Sequence, residues 1–93
     1  MRVIRESPQG LDKFLADEMP CRFFGTFSSN RGKSRFSMMS NIEIRLSHGN
    51  MRVEVLDYDM GVDIPMNNLR SWVRAKDTLT LIGHDGATFK FTW

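Results

Sequence analysis

The sequence is poor in the residues that usually announce chemistry. It holds one cysteine, Cys21, with three prolines and one tyrosine in 93 residues. A single thiol rules out an intramolecular disulfide, and no second cysteine or histidine stands at ligand spacing from it. The expectation is therefore a reducing, cytoplasmic setting with no metal and no cofactor. Apolar residues never run together for the roughly eighteen positions a spanning helix needs, and the opening MRVIRESPQG lacks the oily centre of a secretory leader. No membrane partner is expected. Charge of one sign is scarce too: thirteen Lys and Arg face eleven Asp and Glu, a net charge of +2. That excess is too slight to imply nucleic acid on its own. At this length the chain is expected to be one domain, 1–93, with a modest core.

What the sequence does have is alternation. Phe36, Met38, Ile42, Ile44 and Leu46 share one parity, while Arg35, Asn41, Glu43, Arg45 and Ser47 hold the other. A half-buried strand is written this way. After the turn His48-Gly49-Asn50, Met51, Val53 and Val55 resume the apolar row against Arg52 and Glu54, which predicts a hairpin. A second hairpin follows from Leu79 and Leu81, the turn His84-Asp85-Gly86, and Ala87, Phe89, Phe91 and Trp93, its outer face carrying Thr78, Thr80, Thr88, Lys90 and Thr92. The row from Phe36 to Leu46 reads as one long strand, bent near Ser40-Asn41, able to serve two edges of a small barrel.

The remaining segments are shorter. Val3 and Ile4 suggest a brief edge strand. Ser7-Pro8 reads as a helix start, with Leu11, Phe14, Leu15 and Met19 at helical spacing and Pro20 as the stop, giving a helix over about 8–19 and a β-rich body over about 21–93. Cys21, Phe23, Gly25 and Phe27 alternate with Arg22, Phe24 and Thr26, a strand with a bend or close contact at Gly25 and an inert, buried Cys21 thiol. Ser28–Ser34 reads as the richest turn. Val62–Ile64 is a short strand limited by Pro65, and 67–76 reads as a helical turn running into a strand.

Motifs for catalysis or ligation are incomplete. Gly32-Lys33-Ser34 has the ending of a phosphate-binding loop, but Phe27 stands where its first glycine belongs and a strand follows in place of a helix. Asp57, Asp59 and Asp63 surround Gly61 like the opening of a calcium loop, yet Asn68 stands where the distal acid is required. His48 and His84 sit in turns, where a polar side chain stabilises local backbone. With no nucleophile, base and stabiliser to name together, the chain is expected not to be an enzyme.

Two surfaces remain as binding candidates. Arg22, Phe24, Arg31, Lys33 and Arg35 combine basic side chains with an aromatic, as small barrels do for single-stranded nucleic acid. Phe24, Tyr58, Arg70, Trp72 and Arg74 combine outer aromatics with arginine, the composition of protein interface centres. A sheet edge offers self-association as a further route.

The expected fold is α+β, mainly β: one N-terminal helix and about six antiparallel strands in meander order, curled into a small, partly open barrel or roll. In layout, the helix Pro8–Met19 followed by strands and the stretch Val62–Val73 resembles the Sm family of ring-forming RNA binders over roughly half the chain. The second C-terminal hairpin has no counterpart in that pattern, and no function is transferred from it. The expected function is a small non-catalytic regulatory, adaptor or inhibitor module that binds a protein partner. The alternative is nucleic-acid binding through the basic loop 30–35.

Overall fold

A computed structural model describes residues 8–93. The edge strand expected around Val3 and Ile4, and the cap expected from Ser7, lie outside the described residues. One helix, α1 (Leu11–Asp17), precedes seven strands: β1 (Arg22–Arg31), β2 (Ser34–Ser47), β3 (Asn50–Val55), β4 (Met60–Pro65), β5 (Leu69–Ala75), β6 (Thr78–Gly83) and β7 (Thr88–Thr92). All pairings are antiparallel, in the order β4-β3-β2-β1-β7-β6-β5. Two meanders are thus joined side by side through β1 and β7, and the sheet curls into a half-barrel, as the alternation predicts.

The long strands β1 and β2 make the curl. The far half of β1, Thr26–Asn30, pairs with β7, while β2 pairs with β3 only over Ile42–Ser47. Each strand therefore serves two wings, one built from β2-β1-β7-β6-β5 and the other from β1-β2-β3-β4. The crossover falls at the pair Gly25↔Ser40. A Cβ on Gly25 would lie 1.9 Å from the Thr92 backbone oxygen, so only glycine lets the end of β7 reach the corner. The wings also meet opposite, where the 3-10 turn Met66–Asn68 links β4 directly to β5.

The core lies between the wings. Phe27, Phe91, Leu79 and Leu81 from one wing and Ile42, Met51, Val53, Val55 and Ile64 from the other are buried. Phe27 stacks on Phe91 with ring centroids 4.9 Å apart, and Phe36 meets Phe27 edge-on at 5.5 Å. Helix α1 lays Leu11, Phe14 and Leu15 into the same cluster. It starts at Leu11 instead of Pro8 because Gly10, at φ 82°, is left-handed, and it closes where the N–H groups of Glu18 and Met19 both bond Phe14 O.

Several boundaries differ from the sequence reading for local reasons. Ser28–Arg31 is strand and only Gly32-Lys33 turns, because pairing with β2 and with β7 on the other side holds polar residues in extended form. Leu46, expected on the core parity, is exposed, although Met51 opposite it is buried. The Cys21 thiol is exposed, since the residue lies ahead of β1 at the sheet margin. The segment 67–76 is the expected short helical turn followed by a strand. An irregularity between Leu69 and Ser71 then shifts the parity, leaving Val73 exposed and turning Trp72 towards α1.

Candidate interaction surface

Outer-face residues alternate with core residues along every strand, so the pairing register fixes which side chains share the surface. On the wing with β3 and β4 the outer face is charge-paired. Glu43 accepts from Arg22 and Arg45, and Arg52 bridges Glu54 at 2.8 Å and Asp63 at 2.7 Å. Gly61 leaves the room that the Arg52 guanidinium fills. On the other wing the outer face is mostly short and hydroxylated, with Thr26, Ser28, Ser37, Thr78, Thr80, Thr88 and Thr92 around Lys90, and the Ser28 and Ser37 hydroxyls 2.9 Å apart.

Between these polar faces, at the crossover, lies an apolar patch. Phe24 stands opposite Asn41, and Met39 follows two residues along the same face of β2. Leu56 and Tyr58 flank Asp57 in the 3-10 turn after β3. Asp57 pins that turn to the patch, accepting the Asn41 backbone N–H at 2.9 Å and the Ser40 hydroxyl at 3.1 Å. Phe24 is 61% exposed, Met39 62%, Leu56 46% and Tyr58 57%, four of the six large apolar side chains that the described residues leave in water. Strand parity separates Met39 from Met38 and Leu56 from Val55, and that was the signal by which these two could have been found.

The other candidate residues are dispersed. Arg22 is engaged by Glu43, and Arg31 lies 3.4 Å from Asp85. Lys33 is exposed in the hairpin turn, and Arg35 is exposed on β2. Arg35 is six residues along β2 from the position facing Phe24, about 20 Å at strand rise. The structure therefore does not bring Arg22 and Phe24 together with Arg31, Lys33 and Arg35. Trp72 lies against Phe14 with centroids 5.3 Å apart, and its Nε1 donates to Gln9 O at 3.0 Å. Arg74 sits over the Phe14 ring at 4.7 Å and bonds Glu18 at 2.8 Å. These two hold α1 in place, and Arg70 is exposed at the irregularity in β5. Of the aromatic–arginine set, only Phe24 and Tyr58 share the patch. The aspartates of the calcium-like stretch also diverge: Asp57 turns to Asn41, Asp63 to Arg52 and Asn50, and Asp59 occupies a left-handed turn at φ 49°.

Three carboxyls carry the pH dependence of this framework. The Asn41 backbone N–H, then its side-chain amide and the Ser40 hydroxyl, hold Asp57 below the usual carboxylate range. Hydrogen bonds from Arg22 and then Arg45 do the same for Glu43, and the Ala87 backbone N–H does so for Asp85. Each is harder to protonate folded than unfolded. Its stabilising share is complete above the ordinary value near ~4 and is lost as pH falls through the lower folded value. The urea midpoint is expected to be level from pH ~7 to ~5 and to drop below pH ~4, with a shallower drop in Asp57→Asn. An equally steep acid limb in that variant would remove Asp57 from the account.

The chain matches no protein-family model, no curated protein and no solved structure.

Proposed function

We propose that this chain is a small non-catalytic regulatory or adaptor module, and that Phe24, Met39, Leu56 and Tyr58 are where it docks a protein partner presenting an apolar centre of its own. The gathering of these side chains at the crossover carries the reading. Scattered exposed apolar residues are ordinary, but four of them on neighbouring strands and on a turn tied to Asn41, with Arg22 two residues from Phe24 on the same face of β1, have the composition of an interface centre. The group sits on paired strands and on a turn fixed by Asp57, so little order has to be gained on binding.

The test is a pair of variants in pull-downs from nuclease-treated and untreated extract. Phe24→Ser combined with Tyr58→Ser is expected to keep the wild-type melting temperature within a few degrees and to lose recovery of the partner. Trp72→Ala should behave differently, because it unseats α1. A loss of about 3 kcal/mol is expected, at the low end for tryptophan since the side chain is only partly buried. Unimpaired recovery by the double variant would overturn the patch. Recovery that disappears with nuclease, and steeply with salt, would instead favour the basic residues Arg31, Lys33 and Arg35.

A further inference from the structure

The unpaired edges of the sheet are not equivalent. The outer edge of β4 ends in Pro65 and carries Asp63, while that of β5 is irregular after Leu69, bears Arg70 and Arg74, and is tied to α1 through Trp72. Prolines, charges and irregularities of this kind are how sheets avoid pairing with other chains. The near half of β2 has none of them. Its outer side is unpaired among the described residues up to Asn41, where Asp57 takes over. From Arg35 to Met39 it holds one charge, no proline and no irregularity of register.

The register also says which backbone groups are free. With a two-residue turn at Gly32-Lys33, the closing pair Arg31↔Ser34 is hydrogen-bonded, and bonded pairs then alternate along the hairpin. Arg35, Ser37 and Met39 accordingly point N–H and C=O away from β1. Asn41 continues the series, and its outward N–H is the one that Asp57 accepts.

We propose that this edge pairs antiparallel with the same edge of a second copy, about a two-fold axis through Ser37. Such an arrangement is isologous: each strand offers the other an identical row. Ser37 exchanges both backbone bonds with its counterpart, and Arg35 exchanges both with Met39 of the other copy. The half-buried inner side chains Phe36 and Met38 then face each other across the junction, an aromatic against a thioether, and extend the two cores into one. Charge agrees with this register, since Arg35 falls opposite a methionine and not opposite itself. A ladder this short lies below the ~1,200–2,000 Å² of standard stable interfaces, so the dimer forms in the micromolar range or weaker.

Sedimentation of the purified chain from about 1 µM to about 1 mM reads the result directly. Wild type should pass from monomer to dimer over this range. Ser37→Pro removes an N–H that has no strand partner among the described residues, and is expected to stay folded by circular dichroism and to remain monomeric. Ser37→Lys, which opposes two like charges on the axis, should weaken association by roughly tenfold, and Met39→Glu, placed against the other copy's Arg35, should tighten it. If Ser37→Pro does not fold, the two charge variants decide the matter. A wild type that stays monomeric throughout, a folded Ser37→Pro that dimerises as before, or charge variants without opposite effects would each overturn the proposal. The Phe24–Tyr58 double variant should self-associate normally, so failure of the partner site and failure of this edge are told apart.

Discussion

Gly25→Val is expected to cost this chain a large part of its stability, even though valine is a far better strand former than glycine. Propensity alone gives the opposite sign. The geometry decides, because the new Cβ would stand 1.9 Å from the Thr92 backbone oxygen and 3.0 Å from Phe23 Cδ2. A ring edge can swing aside, but a strand carbonyl cannot move alone. Thr92 pairs with Thr26 on one side and Thr78 on the other, and the next N–H, that of Trp93, bonds Asp77 O at 3.0 Å. Relieving the overlap means peeling the end of β7 from both neighbours.

Overpacking of this kind costs about 1–3 kcal/mol, and each abandoned backbone bond adds about 1 kcal/mol. A sum of roughly 4 kcal/mol is a large part of the ~5–15 kcal/mol that holds a domain together. Urea unfolding followed by circular dichroism checks it, and Gly25→Ala should fail nearly as badly because it already carries the offending atom. Gly32→Asn is the matched control: a Cβ there meets nothing within 4 Å, and asparagine accepts the positive φ of 58°. An undiminished midpoint for Gly25→Val would mean that β7 does not close on the crossover, and the two-wing description would fall with it.

Why Gly25 could be suspected from sequence while its neighbours could not is a matter of how far each signal reaches. Alternation is local, and it placed Ile42, Ile44, Val53, Val55 and Phe91 in one interior, where all are buried, with Phe89 half-buried at the margin. Turn chemistry is local as well, and the hairpins turning at Gly49 and Gly86 fall where the residues put them. Pairing is not local. Ser28–Arg31 has the composition of a loop and becomes strand through pairing with β2, with β7, some sixty residues later, supplying a second partner as far as Asn30. Likewise the shift after Leu69 reverses which residues of β5 face inward, so Trp72 is committed to α1 while Val73 meets water.

The patch shows the same division. Phe24 and Tyr58 were recognisable singly as aromatics out of phase with the core. Their shared location was not, because it depends on Asp57 folding the turn after β3 back onto Asn41, a contact made across sixteen residues of chain. The basic candidates show the converse. Arg22, Arg31, Lys33 and Arg35 are near in sequence, yet β1 carries Arg22 and Arg31 to opposite ends of one strand. Nearness along an extended strand separates residues by about 3.3 Å each, so a cluster in sequence becomes a line in space.

Phe91→Ala is the second large effect expected, at about 3–5 kcal/mol, the usual range for emptying a buried aromatic site. Phe91 has no exposed surface and pairs with Phe27 on one side and Leu79 on the other, both equally enclosed. Its ring lies 4.9 Å from that of Phe27, tilted by 27°, and Phe27 in turn receives Phe36 edge-on. Truncation therefore forfeits burial and also one member of an aromatic chain, whose pairs contribute about 0.5–1.5 kcal/mol beyond area. Neighbouring backbone cannot collapse into the space, since β7 is pinned between two strands. Phe24→Ala removes the same atoms from β1 on the opposite face of the sheet and is expected to change stability by less than about 0.5 kcal/mol. Chemical unfolding of the two variants side by side thus asks one question of one strand pair: whether Phe91 of β7 looks into the core while the even positions of β1 look out to a partner. Equal losses would place Phe24 in the interior and remove it from any docking surface.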